Sequence, residues 1–236
     1  MFLLQTNTVV DAVVDTALVA TETSEEVLQE SINLWTMAQY GGWIMIILAL
    51  LLAWAIYVFI ERLVTLHNAM KEDKSFMDRI KDYIHDGKID SAINLCRSID
   101  TPASRMIEKG ISRLGKPMSD ILVAIENVGN IETNKLEKGF NILATIAGGA
   151  PMLGFLGTVI GMVQAFYDMA NAGNNVDITV LSNGIYTAMI TTVAGLIVGI
   201  IAYFGYNVLV SRLDQVVQKM ETRTMEFMDL LNEPIN

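Results

Sequence analysis

The sequence predicts an all-α integral membrane protein with three transmembrane helices and a cytoplasmic helical bundle. Two observations support this prediction. Of the 236 residues, 52% are hydrophobic and only 18% are charged, a balance that would leave a soluble protein with an extensively apolar surface. The charged residues are also concentrated in blocks, which are separated by three long uncharged segments.

Each of the three uncharged segments is long enough to cross a bilayer. They cover residues 31–60, 139–167 and 178–211. In the first, the apolar stretch 43–60 needs the preceding Gly41 and Gly42 to reach the roughly 20 residues that a bilayer requires. The other two exceed the thickness of the hydrocarbon layer, so we expect spans two and three to tilt or to extend into the cytoplasm.

The basic residues predict the orientation of the chain. Thirteen of the sixteen Lys and Arg residues lie between Arg62 and Lys138, and the other three follow the third span. Residues 1–60 contain none, and neither does the connection between the second and third spans. The positive-inside rule therefore places the 62–138 segment and the C-terminus in the cytoplasm and the N-terminus outside.

These assignments divide the chain into seven segments. The chain begins with an acidic outer segment, which we expect to be retained. Its aromatic residues Trp35 and Tyr40 would anchor a short helix among the membrane lipids of the outer interface. We predict this outer segment at 1–40, a first transmembrane helix at 41–61, a cytoplasmic helical domain at 62–138, a second transmembrane helix at 139–169, an outer loop at 170–178, a third transmembrane helix at 179–211 and a cytoplasmic C-terminal helix at 212–236.

Hydrophobic residues recur at helical spacing through the charged 62–138 segment, which indicates a small helical bundle. Gly87, Gly110 and Gly115 are predicted helix ends, and Pro102 and Pro117 are predicted breaks or first-turn positions. The two signs of charge are mixed, as on a solvated surface, so no nucleic acid partner is expected.

A hydrophobic seam follows the third span at alternating intervals of four and three residues. It consists of Leu213, Val217, Met220, Thr224, Phe227 and Leu231. Such a seam needs a partner helix. Packing against residues 120–138 of the same chain explains it as well as contact with another copy, and we favour the other copy because the membrane helices also need partners.

The sequence does not predict an enzyme, a cofactor or a metal site. His67 and His85 are isolated from each other and from any cluster of cysteines or carboxylates at ligand spacing. Cys96 is the only cysteine, and we interpret it as a small buried hydrophobic residue in a reducing compartment. Nucleotide-binding loops and nucleophile elbows are not found in the sequence.

Small residues and threonines distinguish spans two and three from an ordinary membrane anchor. Small side chains let helix backbones approach closely in lipid, so we predict that these helices pack tightly and hold an oligomer together. Either packing alone or a polar pathway at the centre of an oligomer would explain the pattern, and the threonines favour the pathway. The predicted packing residues are Pro151, Gly154, Gly157, Gly161, Gly195 and Gly199, and the threonines of span three include Thr187, Thr191 and Thr192.

Residues 143–166 and 184–209 resemble the signature of the MotA/TolQ/ExbB proton channel family. The pattern AP-x-x-G-x-x-GTV-x-G, which begins at Ala150, is the specific part of this resemblance. Weaker motifs follow span one at Glu61-Arg62 and lie in the loop that begins at Gly87. The resemblance covers about residues 40–212. Three spans with an outer N-terminus match the ExbB/TolQ branch.

The resemblance implies a homopentamer around a dimer of a single-span ExbD- or TolR-like partner that carries a membrane aspartate. The assembly would use the proton-motive force at the bacterial inner membrane to energise a TonB- or TolA-like protein, and the N-terminus would be periplasmic. We expect a TonB-type function, and a TolQ-like role in envelope maintenance or a non-conducting scaffold remains an alternative. A secondary transporter is disfavoured because the small chain has no inverted repeat.

The resemblance also implies roles for single residues. Thr158 and Thr192 match threonines that line the family's pore, Pro151 matches its span-two proline, and we add Thr191 and Thr187 to the predicted proton pathway. Many ExbB and TolQ proteins carry a glutamate at the position of Thr187. Because the membrane-buried parts of spans two and three contain no ionisable residue, the resemblance implies that the proton-carrying group belongs to the partner.

Overall fold

The computed structural model describes residues 42–71, 75–171 and 178–232, and within these residues it is helical with no strand. The predicted outer segment 1–40 with its interfacial helix, and most of the predicted 170–178 loop, lie outside the described residues. The helices are α1 (Gly42–Met70), α2 (Phe76–His85), α3 (Ile89–Ile99), α4 (Pro102–Ile111), α5 (Met118–Glu137), α6 (Phe140–Asn171) and α7 (Ile178–Asn232).

Three stretches of helix in the described residues are long and apolar enough to cross a membrane. They are α1, the nearly continuous α5–α6 pair and α7, which confirms the predicted all-α membrane fold. Large apolar side chains such as Trp54, Met152 and Phe204 are more than half exposed along these helices. Such a surface is stable against lipid or a neighbouring helix.

A short break separates α5 from α6. Gly139 has a φ of +98°, which side chains other than glycine rarely adopt, and a Cβ there would lie 3.1 Å from Nε of Arg62. Arg62, the first basic residue after span one, packs against this break while its Nη2 pairs with Glu61 at 3.0 Å. The backbone angle is therefore what favours glycine at the break, and the close contact with Arg62 leaves little space for a side chain.

Helix α7 continues without interruption for 55 residues. At a rise of 1.5 Å per residue it is about 80 Å long, far more than the roughly 30 Å of hydrocarbon that it crosses. Its second half, residues 212–232, packs with α4 and α5, and together with α2 and α3 these elements form what we call the polar bundle.

Helix α4 lies at the centre of the polar bundle. Its N-terminus is capped by Thr101 and Ser104, whose side chains each bond the other's backbone N–H, and Pro102 occupies the first turn as predicted. Gly110 was expected to end a helix, and it lies in the last turn of α4, one residue before the helix ends at Ile111. A Cβ there would come within 2.6 Å of Cε1 of Phe227 and 2.8 Å of Cδ1 of Ile125, so this glycine serves close packing.

The hydrophobic seam of α7 packs within its own chain, not against another copy as we favoured from the sequence. Leu213, Met220, Thr224 and Phe227 are all less than 9% exposed in the single chain. Phe227 lies beside Gly110 of α4 and Met220 beside Gly129 of α5, so these residues pack within the chain, which corrects the sequence-based preference; Val217 and Leu231 are partly buried.

One buried carboxylate is held by two basic residues in the polar bundle. The side chain of Glu132 on α5 is 5% exposed and pairs with Arg105 of α4 and, at 2.6 Å, with Lys135. Arg105 also donates to Oδ1 of Asp100 at 2.8 Å, and this hydrogen bond lowers the pKa of Asp100. These pairs connect α4 to both α5 and the end of α3.

Candidate functional site: the threonine face of α6 and α7

Glycines on both α6 and α7 bring the two backbones into direct contact. A Cβ at Gly154 would lie 2.7 Å from the carbonyl oxygen of Thr191, and one at Gly195 would lie 2.6 Å from that of Ala150. Gly161 faces Ala188 in the same way, with a hypothetical Cβ–Cβ distance of 2.8 Å. The small residues that were predicted to hold an oligomer therefore form the contact between two helices of one chain.

The carbonyl oxygen of Gly154 accepts hydrogen bonds from two threonines of α7. The hydroxyl of Thr191 donates to it at 3.2 Å and the hydroxyl of Thr192 donates to it at 3.1 Å. Thr191 also donates to the carbonyl of Ala188 at 2.7 Å, one turn earlier on its own helix. Each such interhelical bond contributes roughly 0.6 kcal/mol in a membrane protein, and together they fix the register of α6 against α7.

Pro151 lies inside α6 and removes one helical hydrogen bond, because its nitrogen cannot donate to the carbonyl of Ala147. That carbonyl lies beside Gly199, where a Cβ would come within 3.0 Å of its oxygen. A Cβ at Gly199 would also lie 2.6 Å from Cγ of Pro151. Gly199 therefore leaves room for the proline ring and for the carbonyl that the proline leaves without its usual donor.

A groove of about 710 Å³ opens along one side of the α6–α7 pair. Small residues of α6 form one wall, and larger, mostly aromatic residues of α7 form the other. The lining residues are Ala144, Ala147, Gly148, Pro151, Leu196, Gly199, Ile200, Tyr203, Phe204 and Tyr206. A Cβ at Gly148 would meet no atom within 4 Å, so another helix or a lipid chain could approach the backbone closely here.

Thr158 and Thr192 continue the face that carries this groove. Thr158 follows Pro151 by seven residues and Thr192 precedes Gly199 by seven, and a seven-residue step returns to nearly the same side of a helix. Both side chains are partly exposed. We call this surface, with the groove, the threonine face. The Thr158 hydroxyl donates to the carbonyl of Phe155 at 2.6 Å and can still accept a hydrogen bond.

The other two predicted pathway threonines lie elsewhere. Thr191 is only 3% exposed, because it is enclosed between α6 and α7, so its hydroxyl is not available to a lumen beside this chain. Thr187 precedes Thr192 by five residues, which corresponds to about 140° around the helix, and its hydroxyl bonds the carbonyl of Gly184 at 3.0 Å. The structure therefore leaves Thr158 and Thr192 partly exposed, encloses Thr191 between α6 and α7, and turns Thr187 to another side of α7.

The residues that make up the threonine face carry no charge. Asp168, inside the predicted 139–169 span, lies in the last turn of α6 and accepts a hydrogen bond from Gln164 at 2.9 Å. Asp168 is ten residues beyond Thr158, or roughly 15 Å along the helix axis. The face can thus supply hydroxyl and backbone hydrogen-bonding groups, but the residues beside the two threonines offer no proton-titrating side chain.

The carbonyl of Gly154 is a part of this site that sequence reasoning did not identify. Two threonine hydroxyls converge on it, and it fixes the position of Thr192 at the edge of the threonine face. A backbone acceptor has no signature of its own in a sequence. The available signal was indirect, since a glycine on one membrane helix and adjacent threonines on the next allow such a bond.

Comparison with known proteins agrees with this architecture. Residues 98–222 match the MotA/TolQ/ExbB proton channel family. A Methanothermobacter thermautotrophicus protein named for its likeness to the biopolymer transport protein ExbB is 31% identical over 189 residues, which cover 78% of this chain and 66% of that protein.

Two bacterial relatives give matches over similar lengths. The biopolymer transport protein ExbB of Neisseria meningitidis is 24% identical over 80% of this chain and 93% of its own length. The Tol-Pal system protein TolQ of Haemophilus influenzae is 28% identical over 77% of this chain and 83% of its own length. With three spans and the AP-x-x-G-x-x-GTV-x-G pattern inside α6, the chain belongs to the MotA/TolQ/ExbB proton channel family, in its ExbB/TolQ branch.

Proposed function

We propose that this chain is the non-enzymatic channel subunit of a bacterial inner-membrane motor, which couples the proton-motive force to energisation of a TonB-like protein for outer-membrane transport. The observation that carries the proposal is the threonine face, where Thr158 and Thr192 offer hydroxyls on the side of α6 and α7 that also carries the groove. Polar groups at this depth are costly unless they serve packing or an ion pathway.

The proton-titrating group of this motor belongs to a partner. No charged residue is found in the uncharged runs 139–167 and 178–211, yet a proton relay needs a group that alternates between two protonation states. A dimer of a single-span ExbD- or TolR-like protein supplies one membrane aspartate per chain. The threonine hydroxyls accept a hydrogen bond from the protonated form of that carboxyl group, and they donate to its charged form when they release the carbonyls of Phe155 and Gly154.

The functional unit in this proposal is a homopentamer that surrounds the partner helices. The threonine faces of the copies turn inward, and each groove receives part of a partner helix beside Gly148. Each proton that crosses releases about 2.3 kcal/mol per 100 mV of membrane potential, so a few protons supply substantial conformational work. In this proposal the polar bundle is cytoplasmic and the N-terminal segment is periplasmic, as the distribution of basic residues predicts.

A Tol-type role is the second candidate, supported by the match to the Haemophilus influenzae TolQ protein. In that case the same site drives a TolA-like protein that maintains the envelope. The chemistry of the threonine face is identical in the two roles, because the client differs and the proton pathway does not. Activity assays with a TonB-like and a TolA-like client distinguish the two candidates.

The pathway is tested by removing the two hydroxyls. Thr158→Val together with Thr192→Val preserves side-chain volume, so we expect the protein to assemble while proton flux into proteoliposomes containing the partner falls by at least tenfold. Thr145→Val is the matched control. Its hydroxyl bonds the carbonyl of Asn141 at 2.7 Å on an exposed part of the same helix, and it does not line the groove.

Proton flux at the wild-type level in the double variant would show that the hydroxyls serve packing alone. A wild-type complex that assembles with its partner but conducts no protons would instead support a non-conducting scaffold. Native mass spectrometry of the same preparations reports the number of copies, and a stoichiometry other than five would contradict the pentamer.

A further inference from the structure

A crevice between α1 and α7 contains two cavities, which differ in their chemistry. The first, of about 230 Å³, is lined by apolar residues only, among them Phe59, Gly205 and Val208. The second, of about 300 Å³, is lined by Leu63, Val64, Leu66, His67, Met70 and Arg212. No carboxylate is among the described residues that line either cavity.

The two cavities follow each other along the same side of both helices. Leu63 comes four residues after Phe59, and Arg212 comes four residues after Val208. Four residues make about one helical turn, so each second-cavity residue lies roughly 6 Å beyond its first-cavity counterpart on nearly the same stripe. The two cavities are therefore aligned along one crevice, which is apolar at one end and cationic at the other.

The change in chemistry occurs at the edge of the membrane. Arg212 directly follows the uncharged run 178–211, and the first cavity lies inside that run and the corresponding run of α1. Arg212 is exposed, and its one side-chain hydrogen bond to a described residue is a long one, 3.5 Å from Nη1 to Oε1 of Gln215. Its guanidinium can therefore reorient towards an anion in the layer that phospholipid headgroups occupy.

We propose that this crevice binds one anionic phospholipid from the leaflet at the basic end of the helices. An acyl chain lies in the first cavity against Phe59 and Val208, and the phosphate bonds Arg212, with the exposed His67 imidazole beside it. An anionic phospholipid has both required parts, an anionic group at headgroup depth and an apolar chain extending into the hydrocarbon. This lipid would fill the space between α1 and α7 and stabilise their contact.

The full chain is reconstituted in vesicles of equal phosphatidylglycerol and phosphatidylethanolamine, released into mild detergent and analysed by native mass spectrometry for retained lipid. We expect the wild type to retain phosphatidylglycerol preferentially. Arg212→Gln should lower its retention about fivefold, the effect of one basic residue near an anionic leaflet, and leave phosphatidylethanolamine unchanged. Val208→Trp, which fills the first cavity, should lower retention of both lipids.

Lys138→Gln removes the same charge from an exposed position that lines neither cavity, and it should behave as wild type. An equal loss of phosphatidylglycerol in Lys138→Gln and Arg212→Gln would overturn the proposal. Phosphatidylglycerol retention at the wild-type level in Arg212→Gln would also overturn it. A wild-type protein that retains no lipid would mean that the crevice is empty or filled by a second copy, which also overturns it. If Arg212→Gln does not fold, the wild-type preference must still decrease as salt screens the contact.

Discussion

At the scale of the single residue, burial decides how Cys96 behaves. The side chain is 1% exposed, which confirms the sequence-based interpretation as a buried hydrophobic residue. Burial raises the pKa of its thiol to about 12, and the nearby negative charge of Glu108 adds to the effect. Since the thiolate is the reactive form, both the low accessibility and the raised pKa protect this residue.

We therefore expect Cys96 in the folded protein to resist maleimide at pH 8 and to react fully once the protein is unfolded in SDS. Intact mass spectrometry measures the extent of labelling in each state. Ser98→Cys on a Cys96→Ser background is the control, because position 98 is exposed and two residues away. Labelling of native Cys96 as fast as the control would contradict the burial that the structure shows.

The ion pairs of the polar bundle should differ in energy according to their burial. Arg105→Met leaves the buried Glu132 with Lys135 as its remaining charged partner, so we expect a loss of about 1–3 kcal/mol in unfolding free energy. Arg97→Met removes the ion pair between Arg97 and Glu108. Because the side chain of Arg97 is 66% exposed, this substitution should lower the unfolding free energy by less than about 1 kcal/mol. Thermal unfolding of both variants, monitored by circular dichroism, shows which substitution destabilises the protein more. A larger loss of stability in Arg97→Met than in Arg105→Met would show that burial does not determine the relative energies of these ion pairs.

At the scale of the helix pair, the small residues of α6 and α7 hold a single chain together. A leucine at position 195 would force its Cβ against the carbonyl oxygen of Ala150 and the Cα of Gly154, at 2.6 and 2.8 Å, and neither backbone atom can move aside cheaply. We expect Gly195→Leu to separate the helices and abolish the folded protein, not merely its assembly.

Gly148→Leu is the matched control for Gly195→Leu, since no atom lies within 4 Å of a Cβ at this position in the single chain. It should preserve the thermal stability of the chain, whereas Gly195→Leu should lower expression of folded, protease-resistant protein. Limited proteolysis in detergent distinguishes the two results. Wild-type protease resistance in Gly195→Leu would contradict the close α6–α7 contact. Altered assembly in Gly148→Leu would place that glycine at a contact between subunits.

At the scale of the whole molecule, the distribution of basic residues predicts the topology, and cysteine labelling tests it. On a Cys96→Ser background, Ala20→Cys should react with a membrane-impermeant thiol reagent applied to whole cells with a permeable outer membrane. Lys116→Cys, at an exposed position between α4 and α5, should react only after the inner membrane is disrupted. Labelling of position 116 but not 20 in intact cells would reverse the orientation, and with it the assignment of the polar bundle to the cytoplasm.

The sequence by itself determined the class of this protein and the number of its spans. Burying a charge in hydrocarbon costs several kcal/mol, so uncharged runs of bilayer length identify membrane helices without knowledge of their neighbours. The short pattern around Pro151 and Gly157 likewise indicated the family, because the residues that let two helices touch in lipid are close together in the chain.

The tertiary structure decided which face of each helix is buried against another helix and which face remains exposed. Thr191 and Thr192 are adjacent in the sequence and similar in chemistry, yet one is enclosed between α6 and α7 while the other borders the groove. The seam of α7 and Gly110 of α4 also contact residues that are distant in the chain. Helical periodicity shows that such a stripe needs a partner, but the partner depends on how distant helices come together, and only the folded chain fixes that arrangement.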